Sequence, residues 1–103
     1  METWAIPNQI WKTFMEQAQQ ERRADVMIEN FVGDTTMTIK ETVVVEANIE
    51  FIGQLQYIAH EFSFMKEAAE AVLSQITCVA YEDGRISEEA LERRVHIWDL
   101  GRV

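Results

Sequence analysis

Residues 47–81, ANIEFIGQLQYIAHEFSFMKEAAEAVLSQITCVAY, contain no proline and one glycine, Gly53. Leu55, Phe62, Ala69 and Ile76 recur every seven residues, and Ile58, Met65, Val72 and Val79 interleave with them. Side chains three and four positions apart share one face of a helix, so these residues form a single stripe. A second file, Tyr57, Phe64, Ala71 and Cys78, repeats at the same period beside it. The apolar face is therefore broader than a lone surface helix needs, which raises the question of what covers it. The spacing predicts one long central helix over about 48–81. Asn48 can cap it, Glu50 suits its positive end, and Asp83–Gly84 is a turn signal that stops it near Tyr81.

Upstream, eight of the eleven residues from Thr35 to Val45 are β-branched, which favours strand over helix. Gly33–Asp34 suits a two-residue turn, and closing it predicts a β-hairpin over about 26–45. That register pairs Val32 with Thr35, Asn30 with Met37, Ile28 with Ile39 and Val26 with Glu41. The rival reading extends the central helix back to Thr38, whose hydroxyl and Glu41 resemble a capping box. It would set Lys40, Glu41 and Asn48 near the apolar stripe and turn Val45 and Ile49 away, so the hairpin is preferred. A two-stranded ribbon is marginal alone in water and has to pack on a helix or on another chain.

At the amino-terminal side, Pro7 and Asn8 are good helix openers, and Ile10, Trp11, Phe14, Met15 and Ala18 follow at helical spacing. They predict a helix over 8–24. Ser87 can cap a short last helix, 87–99, with Glu88 and Glu89 in its first turn. Leu91, Val95 and Trp98 lie on its apolar face. The expected fold is α+β and predominantly helical: an N-terminal helix, the β-hairpin, the long central helix and a short C-terminal helix. An all-α helical bundle is the alternative. The 103 residues suit a single compact domain, 1–103.

Composition narrows the function classes. Apolar residues make up 48% of the chain, ordinary for a globular protein. No run approaches the roughly 18 uncharged apolar residues of a membrane span. Glu2 stands where a secretory signal would carry basic residues, and Cys78 is the lone cysteine, so cytoplasmic residence is expected. Net charge is −9, with 18 acidic and 9 basic side chains spread along the chain. Arg22–Arg23 and Arg93–Arg94 are the only adjacent basic pairs, each with acids close by. Direct nucleic-acid binding is therefore not expected; a protein partner with a basic surface is.

Catalytic signatures fail one by one. His60 lacks a second ligand at helical spacing, and His96 sits near the carboxyl end of the last helix, where a positive charge is welcome, so no metal is expected. Glu67 and Glu70 share a face but read as solvated, not as an acid–base pair in an apolar pocket. Asp83-Gly84-Arg85-Ile86-Ser87 resembles part of a calcium loop, yet Val79, Tyr81 and Ala90 stand where oxygen ligands belong. There is no serine elbow and no glycine-rich phosphate loop, so no catalytic residue and no cofactor is assigned.

Three functions remain. The first is a non-enzymatic acidic interaction domain, an inhibitor or adaptor of the viral or mobile-element kind. It would bind a basic surface of a nucleic-acid-handling protein through one continuous acidic face of Glu41, Glu46, Glu50, Glu61, Glu67 and Glu70. Trp4, read as part of a short segment ahead of the first helix, is the candidate exposed anchor. The second is a homo-oligomer, a dimer in the simplest case, joined through Tyr57 and Phe64 on the second apolar file. The third, ranked last, is an enzyme with a site between subunits.

Overall fold

Glu2–Pro7 (β1) forms the middle of a five-stranded antiparallel sheet whose order is β2-β3-β1-β4-β5. The computed structural model describes residues 2–20, 32–47, 50–80 and 84–96. Thr3, Trp4, Ala5 and Ile6 are all buried, so this strand is covered on both faces. That explains why it shows no polar–apolar alternation: strands buried on both sides read as short continuous apolar runs. Pro7 stands at its end, where a missing N–H costs the ladder least.

Chain order then runs α1 (Asn8–Gln20), β2 (Val32–Ile39), β3 (Thr42–Ala47), α2 (Glu50–Glu61), a 3₁₀ turn (Ser63–Met65), α3 (Lys66–Gln75), β4 (Thr77–Cys78), α4 (Glu88–Glu92) and β5 (Val95–His96). β3 pairs with β1 in the register Trp4–Val45, Ala5–Val44 and Ile6–Val43. β4 joins the other side of β1, with Cys78 opposite Trp4 and Thr77 opposite Ala5.

Alternation along β1 and β3 divides the core in two. Trp4, Ile6, Val43, Val45 and Ala47 face the layer of α1, α2 and α3, where they meet Phe14, Phe51, Leu55, Ile58, Met65 and Val72. Trp11 stands between Phe14 and Phe51, with ring centroids 5.5 and 6.2 Å away. On the other face a smaller cluster of Ala5, Val44, Val79, Ile86, Ala90 and Leu91 lies under α4. Ser87 caps that helix, its hydroxyl accepting from the Ala90 amide at 3.1 Å.

The expected architecture is corrected in four places. The fold is a mixed α+β structure on a five-stranded sheet, neither a hairpin packed on helices nor an all-α bundle. The hairpin is displaced: its turn is Lys40–Glu41, with Ile39 opposite Thr42, and not Gly33–Asp34. Lys40 adopts φ +54°, a conformation that costs a non-glycine residue roughly 1–2 kcal/mol. Pairing of the β-branched runs on either side offsets that cost, and the Asn8 amide donates to the Glu41 carbonyl at 2.8 Å, pinning the turn. The part of the expected hairpin below Val32 lies outside the described residues.

The third correction concerns the central helix, which is broken into α2 and α3. Phe62 leaves helical geometry at φ −114°, ψ 89°, and Ile76 is extended at φ −70°, ψ 136°. A straight helix over 48–81 would be roughly 50 Å long at 1.5 Å per residue. Six-residue strands span only about 20 Å, so an unbroken rod would overrun the sheet. Bending at Phe62 lets α2 and α3 pack side by side, and extending at Ile76 adds a strand to the sheet. The stripe survives the breaks: Leu55, Ile58, Phe62, Met65, Ala69, Val72, Ile76 and Val79 are all buried.

The last helix also ends elsewhere than expected. α1 is described to Gln20, and the expected 21–24 extension lies outside the described residues. The C-terminal helix stops at Glu92 instead of 99, because Val95 and His96 pair with Cys78 and Thr77 as an edge strand. Trp98 lies outside the described residues.

Candidate functional site

Trp4 is not an exposed anchor: it is 0% exposed at the centre of the sheet, and its ring N–H donates to the Ala47 carbonyl at 3.3 Å. A residue flanked by two paired strands and covered by three helices has no free face to offer a partner.

The six expected carboxylates do not form one continuous face. Glu41 lies at the hairpin turn, and Glu46 alternates with Val45 and Ala47 onto the sheet face away from α2 and α3. Glu50 opens α2 and Glu61 closes it, which separates them by roughly 16 Å of helix. Glu67 and Glu70 stand on α3. Glu61 stands at the end of α2, and Glu67 and Glu70 follow just beyond the bend. Glu50, Glu67 and Glu70 are exposed and make no ion pair among the described residues, and Glu61 meets only the exposed His60, at 3.9 Å. Lys40 and Glu88 pair at 3.3 Å elsewhere, between the hairpin turn and α4.

Among the described residues, Tyr57 and Phe64 are the large hydrophobic side chains exposed on the helical layer, at 42% and 59% exposure. The broken helix accounts for both. The stripe turns inward through the bend, and the second file is left on the outside of α2 and of the 3₁₀ turn.

Two grooves flank α3. One, of about 570 Å³, lies against α2 and is lined by Gln56, Ala59, His60, Ser63, Lys66, Glu70 and Leu73. Its acid, Glu70, shares it with Lys66 and His60, so its charge is mixed. The other, of about 350 Å³, lies against α1 and is lined by Gln9, Ile10, Thr13, Gln17, Glu67, Ala68 and Ala71. It holds an acid and no base. In α1, Gln17 Oε1 is buried and has no hydrogen-bond partner among the described residues. Neither groove was legible in the sequence, because each depends on how α3 packs after the bend.

Cys78 belongs to the edge of the helix-covered cluster and is half-buried. Burial raises its thiol above the ordinary value, and the Glu2 carboxylate, which accepts from Sγ at 3.7 Å, adds to the effect. A thiol held protonated is a poor nucleophile. Among the described residues no group of three or more histidine, cysteine or acidic side chains is placed to hold a metal ion, and no helix is long and apolar enough to cross a membrane. The chain matches no known protein family, no curated protein and no solved structure.

Proposed function

We propose that this chain is a non-enzymatic acidic interaction domain. In this reading it docks on a basic surface of a protein that handles nucleic acid and acts as an inhibitor or adaptor in the cytoplasm. The observation that carries the reading is the acid on and beside α3: Glu61, Glu67 and Glu70 stand exposed, and among the described residues no lysine or arginine, Lys66 included, forms an ion pair with them. Carboxylates left free in this way give the surface a negative potential that steers a basic partner and repels phosphate. The acidic face is narrower than six residues, and Trp4 is no part of it.

The test is affinity capture from an extract, with the wild-type chain beside a Glu61→Gln/Glu67→Gln/Glu70→Gln variant. All three side chains are exposed, so the variant should melt where wild type does. Wild type should retain a basic protein that added DNA displaces, and retention should fall steeply as salt shortens the screening length from about 10 Å at 0.1 M to about 3 Å at 1 M. The variant should lose that protein. Retention that ignores both salt and the substitutions would overturn the reading.

A second reading, a homodimer or larger oligomer, is supported by the exposed Tyr57 and Phe64. It requires a mass that is a multiple of 12.0 kDa in light scattering, reduced to one copy by Tyr57→Asp or Phe64→Asp. A wild-type mass of a single chain would exclude it.

A further inference from the structure

Four exposed residues, Glu50, Gly53, Tyr57 and His60, lie along α2, while Phe51, Leu55 and Ile58 of the same helix are buried in the core. The exposed four are spaced by three, four and three positions, which sets them on one narrow seam, the arrangement along which helices pair. Gly53 leaves a recess in that seam. A Cβ there would meet nothing within 4 Å, so no neighbour among the described residues requires a glycine, and glycine inside a helix is less favourable than alanine. One turn later stands the ring of Tyr57, 42% exposed. Glu50 opens the seam with a carboxylate that makes no ion pair among the described residues, and His60 closes it. An acid, a recess, a knob and a base thus follow one another on a single helix face.

The four are matched about one point. Positions 53 and 57 are equally far from position 55, and so are positions 50 and 60. Two α2 helices set antiparallel across a two-fold axis at that level bring each Tyr57 over the other copy's Gly53. They also bring each His60 beside the other copy's Glu50, where a ring N–H donates to a carboxylate. Parallel pairing would set tyrosine on tyrosine and acid on acid. We infer that this face of α2 docks on the same face of a second copy of the chain, antiparallel and centred at position 55. The inference rests on the homodimer reading and names its interface. Phe64 is no part of the seam, because Phe62 leaves helical geometry before it. A seam confined to α2 is small, so the dimer is a weak one.

The experiment is sedimentation equilibrium of the whole chain at neutral pH and 0.15 M salt, from about 10 μM to about 1 mM, the weak end of protein association. The wild-type mass should rise from 12.0 kDa towards two copies. Gly53→Ala should raise the melting temperature at low concentration yet weaken the dimer at least threefold, and Gly53→Leu, which fills the recess, should abolish it. Glu50→Lys and His60→Glu each set like charges across the axis and should each weaken the dimer about tenfold. The combined Glu50→Lys/His60→Glu variant restores opposite charges and should recover to within about threefold of wild type. Glu61, 3.9 Å from His60, and Lys66 and Glu70, which line the α2–α3 groove with it, stay the same in every variant. All the substituted sites are exposed, so the variants should fold. A dimer indifferent to Gly53→Leu, or a combined variant no better than either single one, would overturn the inference. If such a dimer still dissociated with Phe64→Asp, the α2 seam would fail and the homodimer reading would stand. A single-chain mass at every concentration would remove both.

Discussion

The two faces of the sheet are built on different scales. Under α1, α2 and α3 the strands present Trp4, Ile6, Val43 and Val45 to a layer that includes Trp11, Phe14, Phe51 and Met65. Under α4 they present Ala5 and Val44 to Val79, Ile86, Ala90 and Leu91. Among the described residues, one face is a core of aromatic and large aliphatic side chains, and the other a smaller cluster under one short helix. Burial stabilises in proportion to apolar area, about 25 cal/mol per Å². Among the described residues the first, thicker face therefore holds more of the folding free energy than the second, thinner one. The same division places the candidate site, because α3 lies on the thick side.

The largest effect expected from this comparison is at Phe14, which is 0% exposed in the thick core. Phe14→Ala should cost about 3–5 kcal/mol, the range for emptying a packed phenylalanine site. Against a total stability of about 5–15 kcal/mol, that is enough to leave much of the population unfolded. Urea denaturation followed by tryptophan fluorescence measures it. A loss below about 1 kcal/mol would mean that α1 is not packed as described and that the two faces are closer to equal.

On the thin face the matching change is Leu91→Ala. Leucine-to-alanine substitutions in cores cost about 2–5 kcal/mol, and Leu91, at 9% exposure, belongs at the low end near 2 kcal/mol. Its signature should be local. Amide exchange should accelerate in α4 and β5 while α2 and α3 keep wild-type protection, because elements with few buried contacts open independently of the core. Uniform acceleration across the chain would merge the two faces into one cooperative unit and break the comparison.

How much of this was legible in the sequence differs between the faces for a physical reason. The thick face is dominated by helices, and helical period is written in a single segment. The stripe from Leu55 to Val79 therefore marked buried positions even though no single helix carries them. The bend at Phe62 was not legible, since neither proline nor glycine marks it; it follows from the length of the sheet beneath. Strand partners lie far apart in sequence, as Trp4 and Val45 do, and β1 is too short and too thoroughly buried to alternate. Lys40 hid the hairpin turn because it takes a positive φ that asparagine or glycine would have advertised. Ser87 was legible as a cap because its partner, the Ala90 amide, is three residues away. The site suffered most. Exposed acids could be named, but which of them share a surface depends on the bend and on the sheet face.

The smallest effect concerns the rim where the thick face runs out. Cys78 lies opposite Trp4 but next to an edge strand, half-buried, with the Glu2 carboxylate accepting from its thiol. Burial is the first cause of its raised pKa and Glu2 the second. Glu2→Gln should therefore lower the value only part of the way, and alkylation by iodoacetamide at pH 8.5 should speed up a few-fold while remaining slower than in the urea-unfolded chain. The sign for stability follows from linkage. A thiol whose folded pKa lies above its unfolded value of 9.0 favours the folded state fully below pH 9, and that contribution is lost as pH rises through the folded value. Glu2→Gln should accordingly flatten the decline in melting temperature above pH 9 without altering it at pH 7. If the substitution brought reactivity all the way to that of the unfolded chain, Glu2 and not burial would be the main cause. The helix-covered face would then end at Trp4 instead of reaching Cys78.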